Sequence, residues 1–226
     1  NNKQSMKEDF SYNPPLIGLK NVGCTCYMNA TLQCFCNIDK LVNYFKYHRT
    51  VIDIIQNNIF SYPNQKDILE SSFKYLIEYL WPTISEFKEK LYHENGNKNN
   101  DNSYSPNEFK EKISKMDPLF SGAQANDSKD LINFIVMKLH EELNQTNINE
   151  ENINAFKIVD NTNRDMMYQH FVNTFMMENN SIISNLFYAI NGSILKCSNC
   201  NIERYNYQTY FFMIFHLEEV RKHVSM

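Results

Sequence analysis

The sequence predicts an α+β fold, and three observations carry that reading. In separate segments of the first 180 residues, apolar side chains recur at steps of three and four, the spacing of helices. Residues 193–217 are instead rich in Ile, Tyr, Phe and Thr and are punctuated by a Cys-Ser-Asn-Cys turn, which is the composition of strands. Helices come first and sheet last, an order that segregates the two kinds of element.

Residues 1–15 read as a disordered tail that ends at Pro14-Pro15. The first helix is expected from Thr25 to about Cys36. Met28, Leu32 and Phe35 share one face, Thr25 stands at the N-cap, Cys26 lies in the first turn, and Cys34 and Cys36 are core by default. A second helix is expected over 71–80, with Phe73, Leu76, Ile77 and Leu80 as its stripe and Pro82 as its stop. A third opens at Ser105, with Pro106 in the first helical position and Glu108 closing a capping box. The strongest amphipathic pattern spans 127–143, where Leu131, Phe134, Ile135 and Leu139 line a face and Asp127 and Asp130 stand at the N-terminal end. Residues 164–177 read as one more helix before the strands begin. Asparagine, about one residue in seven, collects in 95–103 and 144–154, where nothing apolar could anchor a packed element, so both read as solvated insertions.

Composition narrows the function. At 226 residues and 42% apolar content there is ample material for a core. A net charge of −4, from 22 basic and 26 acidic residues, supplies no basic field for nucleic acid. No window resembles a signal peptide or a membrane span, and six cysteines, three of them within 24–36 at helix-like spacing, fit a reducing compartment. The expected location is the cytoplasm or nucleus.

The chemistry centres on GLKNVGCTCYMNATLQ, which begins at Gly18. A cysteine at a helix N-terminus has unpaired N–H groups and the positive dipole end beside its sulfur, and both favour thiolate. Cys26 has that position, although the spacing alone favours the plainer reading of an ordinary buried cysteine. Cys24 lies just before the helix, after Gly23, which permits a sharp turn.

The stretch resembles, nearly position for position, the cysteine box of the ubiquitin-specific proteases. That resemblance implies a papain-like cysteine-protease fold, hydrolysis of the bond after ubiquitin's C-terminal glycine, Cys26 as nucleophile and Asn21 as oxyanion stabiliser. Cys24 fills a slot where the family commonly has asparagine. FSGAQANDSKDLINFIVMKLHEELN, residues 120–144, resembles a second family segment, with Asp130 and Leu131 in place of glutamate and phenylalanine. It implies that Asp127 and Asp130 grip the basic tail of ubiquitin; the plainer reading makes them a cap and a first-turn charge. In the family's terms, residues 16–163 form a helical thumb and 164–226 the start of the fingers and palm.

Near Cys197 and Cys200 the sequence resembles the opening of the family's fingers. The C-x-x-C is half of a tetrahedral zinc site, whose other ligands would lie outside this chain, or else a knuckle of reduced thiols. Catalysis itself implies no cofactor. A cysteine peptidase also needs a base and a residue to orient it. None of His48, His93, His140, His170, His216 and His223 has the family's G-H-Y context. The histidine box is therefore expected outside this sequence, which leaves the isolated chain inactive. Two rival readings are a catalytically inactive ubiquitin-binding or scaffold relative and an unrelated zinc module.

Overall fold

A computed structural model describes residues 17–47, 69–82, 103–146, 160–213, 218 and 221–222. The tail at 1–15 and nearly all of both asparagine-rich insertions lie outside the described residues. Two compact units meet at the Glu142–Leu143 bond, and each has its own architecture.

The first unit is built from helices because its apolar residues repeat with the helical period. Helix α1 (Cys26–Phe35) buries Met28, Leu32 and Phe35, the expected face. Cys36 is buried just beyond its end, and burial pushes that thiol's pKa up. Cys34, expected in the core, is exposed, since it lies roughly 200° around the helix from Leu32. Helix α2 (Asp39–Tyr47) buries Leu41, Val42 and Phe45, and Trp81 Nε1–H donates to the Cys36 carbonyl at 2.7 Å. Helix α3 (Leu69–Leu80) buries the whole predicted stripe. Phe73 is its hub: the Phe45 ring lies 5.2 Å away and the Phe35 ring 6.2 Å away, both edge-on.

Strand β1 (Gly18–Leu19) pairs in parallel with β2 (Ser103–Tyr104), Gly18 opposite Ser103. Helix α4 (Asn107–Met116) starts later than expected. Pro106, with ψ 42°, is its N-cap and no side chain caps it, so the capping box of Ser105 and Glu108 does not form. A 3₁₀ turn (Pro118–Phe120) then leads to α5 (Ser128–Leu143), which buries Leu131, Ile135, Val136 and Leu139. Phe134 is half-buried, edge-on to Phe120 at 5.1 Å.

Helix α3 receives its N-terminal cap from α5. The Glu142 carboxylate accepts from the backbone N–H of Leu69 at 2.9 Å and of Glu70 at 2.8 Å, satisfying two donors that a helix start leaves open. Glu70 itself is only 1% exposed, and its Oε1 has no hydrogen-bond partner. Burial, with the neighbouring Glu142 carboxylate, raises Glu70 to about 8. Burial raises Glu142 as well, and the two N–H donors oppose that shift by favouring its charged form.

The second unit packs helix α6 (Arg164–Glu178) and a short α7 (Ile182–Phe187) with a hairpin of β3 (Ala189–Lys196) and β4 (Glu203–Tyr210). The hairpin is antiparallel, with Ala189 opposite Tyr210 and Lys196 opposite Glu203. Tyr207 on β4 meets the rings of Tyr168 and Phe171 on α6 at 5.4 and 6.0 Å. The antiparallel hairpin follows the helices, as the sequence predicts, but the parallel β1–β2 pair, whose first strand precedes α1, departs from the expected order of helices first and sheet last. Among the described residues, no helix is long and apolar enough to cross a membrane.

Candidate active site

The approach to α1 is folded by two left-handed residues. Gly23 has φ +104° and Cys24 has φ +46°. Such angles cost a side-chain-bearing residue energy that glycine does not incur and asparagine tolerates better. Replacing Cys24 with Asn is expected to raise stability by about 0.5–1 kcal/mol. Urea unfolding measures this, and a lowered midpoint would contradict the strain account.

Those two residues bring the chain back so that Thr25 meets Asn21. Thr25 N–H donates to Asn21 Oδ1 at 2.9 Å, and Thr25 Oγ1–H donates to the same oxygen at 3.0 Å. Thr25 Oγ1 in turn accepts from Val22 N–H at 3.0 Å. Thr25 stands at the expected N-cap position, yet its hydroxyl makes no cap hydrogen bond to α1. The first turn carries no acidic residue either, and Cys26 begins the helix with its side chain exposed.

Two residues of the same motif hold the approach against the helix, which sequence reasoning missed. Asn29 Nδ2–H donates to the carbonyls of Leu19 and Lys20 at 3.1 and 2.9 Å, and Gln33 Nε2–H donates to that of Ile17 at 3.2 Å. Lys20 N–H donates to the Tyr104 carbonyl at 2.8 Å, which extends the β1–β2 pairing. Helical spacing puts Asn29 and Gln33 one turn apart, but only the fold shows what they face.

The second motif is drawn to the first. Asn126 Nδ2–H donates to the hydroxyl of buried Tyr27 at 3.1 Å, beside Cys26 and 99 residues away in sequence. Upstream, the Phe120 carbonyl accepts from Ser114 Oγ–H at 2.8 Å and from Lys110 Nζ, and Gly122 turns the chain at φ +81°. Asp127, exposed, uses Oδ1 to accept from Lys129 N–H at 2.9 Å, as an N-cap does; Asp130 lies exposed in the first turn of α5.

Cys197 and Cys200 lie in the second unit, at the β3–β4 turn. Both are exposed. Asn201 N–H donates to the Cys197 carbonyl at 2.9 Å, Cys197 N–H donates to the Ile202 carbonyl at 2.9 Å, and Asn201 has φ +57°. The N–H groups of Cys200 and Asn199, with the Cys200 thiol, hold the Cys197 thiol below its ordinary pKa. A turn that directs N–H groups at sulfur suits a thiolate ligand. The pair therefore fits half of a zinc site, and among the described residues no group of three or more metal-ligating side chains completes it.

An exposed thiol at an uncapped helix start, with an asparagine five residues upstream bonded to the residue before it, is an arrangement that suits thiol-dependent acyl transfer, the chemistry of cysteine hydrolases. A family model described as ubiquitin carboxyl-terminal hydrolase matches residues 17–222, and the chain belongs to that family. It is similar to ubiquitin carboxyl-terminal hydrolase 15 of Xenopus tropicalis, 26% identical over 188 residues that cover 83% of this chain and 17% of that protein. Ubiquitin carboxyl-terminal hydrolase 4 of Rattus norvegicus is 27% identical over 187 residues, again 83% of this chain and 17% of the relative. Among solved structures, the SAGA DUB module Ubp8/Sgf11/Sus1/Sgf73 bound to monoubiquitin aligns over 88% of this chain and 35% of the matched chain, at 13% identity and a TM-score of 0.49. The present chain thus spans about a sixth of the length of these curated relatives. The family's fold is papain-like, and its chemistry runs on a cysteine without a cofactor.

Proposed function

We propose that the chain supplies the nucleophile half of a deubiquitinating site that cleaves the peptide or isopeptide bond after ubiquitin's C-terminal glycine. The observation that carries this is the family match across the cysteine motif, together with an exposed Cys26 at an uncapped helix start. Cys26 attacks the carbonyl carbon of the scissile bond. The oxygen that becomes anionic is met by Asn21 and by backbone N–H at the start of α1. Asp127 and Asp130 offer carboxylates to the basic ubiquitin tail, Asp127 through the oxygen its cap leaves over. The partners are ubiquitin and ubiquitinated proteins, in the cytoplasm or nucleus. Residues 16–163 serve as the thumb and 164–226 as the start of the fingers, where Cys197 and Cys200 contribute two ligands to a structural zinc.

The base and its orienting partner come from residues beyond these 226. Among the described residues no histidine is hydrogen-bonded to Cys26; His140 and His170 lie on α5 and α6. This chain alone is therefore expected to show negligible steady-state hydrolysis of a ubiquitin C-terminal fluorophore, whereas the longest natural chain containing these residues turns it over. Vigorous activity of the 226-residue chain, abolished by Cys26→Ala, would show that the base lies within it. No turnover by the longer, folded chain would favour the inactive ubiquitin-binding scaffold.

A further inference from the structure

We propose that Thr25 is the positioning residue of this site: it fixes which end of the Asn21 amide faces the reaction and keeps the start of α1 uncapped. The inference rests on the reading of Asn21 as an oxyanion donor and extends it to a residue that touches neither substrate nor thiol.

An asparagine side chain can turn either its oxygen or its nitrogen toward a ligand, and only the nitrogen stabilises an anion. The contacts of Thr25 decide between them. Its backbone N–H can only donate, so the atom 2.9 Å away must be the acceptor, Oδ1. Its hydroxyl has one proton, and because Oγ1 already accepts from Val22 N–H, that proton is directed to the same Oδ1 at 3.0 Å. Asn21 is thus held by its oxygen from two donors, which leaves Nδ2 with both of its hydrogens to present. Thr25 is fully buried while Asn21 is exposed, so the part-buried clamp joins an anchored donor to an amide that faces solvent.

The same hydroxyl does a second thing by omission. A threonine at the N-cap ordinarily turns its oxygen forward to the N–H groups of the first turn, a contact that stabilises a helix. Here the oxygen turns backward to residues 21 and 22, and α1 is left without any side-chain cap. The N–H groups that a conventional cap would occupy remain available beside Cys26. Asn21 Nδ2 and the helix start are therefore freed by one rotamer of one side chain.

The test uses the longest natural chain containing these residues, a ubiquitin C-terminal fluorophore, and five proteins: wild type, Asn21→Ala, Thr25→Val, Thr25→Ser and the Asn21→Ala/Thr25→Val double variant. Asn21→Ala should lower kcat roughly a hundredfold. Thr25→Val, which keeps the backbone donor and loses the hydroxyl, should lower kcat about tenfold with KM unchanged. Thr25→Ser should recover most of that loss. Added to Asn21→Ala, Thr25→Val should cost less than about a further twofold, because its target is already gone. A double variant as slow as the product of the single effects would make Thr25 merely structural and overturn the inference. So would Thr25→Ser falling as far as Thr25→Val, a comparison that holds even where valine weakens the fold. A Thr25→Val variant as fast as wild type, beside an impaired Asn21→Ala, overturns the role of Thr25 alone. An Asn21→Ala variant as fast as wild type overturns the oxyanion reading with it.

Discussion

An electrophile carried on the C-terminus of ubiquitin is expected to form its adduct at Cys26 and nowhere else in the chain, and Cys26→Ala should lower turnover of the longest natural chain by a factor of about 10⁴ or more. Two thiols compete for this role, separated by Thr25 and both exposed. They differ in what the backbone does around them. Cys26 begins a helix whose first N–H groups carry no side-chain cap, so a developing thiolate and the adjacent carbonyl oxygen both meet partial positive charge. Cys24 precedes the helix in a left-handed conformation and is part of the turn that brings Thr25 back to Asn21. Mass spectrometry of the digested adduct locates the bond. Modification at Cys24, or full turnover by Cys26→Ala, would overturn the assignment of the nucleophile.

The second large effect concerns stability. In the unfolded chain Glu70 titrates near 4.5, and in the folded chain at about 8, because it is buried next to Glu142. Between those values the unfolded chain has released the proton while the folded chain still holds it. Stability is therefore fully present below the lower value, falls as pH rises through the window, and levels off above the upper one. Glu142, also raised by burial, adds in the same direction. Glu70→Gln cannot ionise, so it should gain on the order of 2–3 kcal/mol over wild type at pH 7.5 and flatten the profile from about pH 5 to 8. Urea unfolding at several pH values measures both. A wild-type stability that rises across the window, or a glutamine variant that follows wild type, would contradict this account.

The features legible in the sequence are those whose cause is local. Helices α1, α3 and α5 announce themselves because Met28, Leu32 and Phe35, or Phe73, Leu76, Ile77 and Leu80, repeat at the helical period and are buried for that reason. Helix α2 escaped because three buried residues, Leu41, Val42 and Phe45, make barely one turn of pattern after a break at Asn37. Strands β1 and β2 have two residues each, too few to show alternation. The cap on α4 was misread because Pro106 occupies the N-cap itself, in a non-helical conformation. No local signal could have shown that α3 is capped by Glu142, 73 positions from Leu69.

The site divides in the same way. Asn21, Cys26, Asp127 and Asp130 are candidates named by the resemblance of two stretches to family segments, and their roles are part of the proposal. Thr25 stands at the expected N-cap position, but the turn of its hydroxyl backward depends on the left-handed pair at 23 and 24. Asn29, Gln33 and Asn126 carry no chemistry of their own, so nothing in their identity marks them out. Each is explained by the backbone or ring it reaches.

The hydrogen bond from Asn126 to Tyr27 sets a lower limit on how much of the protein the site requires. Closing a loop of that length costs about 4 kcal/mol of chain entropy, whereas one neutral hydrogen bond returns about 1 kcal/mol. The contact survives because packed helices on either side have already brought its ends together. A short peptide carrying Asn21 to Gln33, or the same motif grafted onto a foreign loop, would keep Asn21, Thr25 and Cys26 and lose the framework that holds them in place.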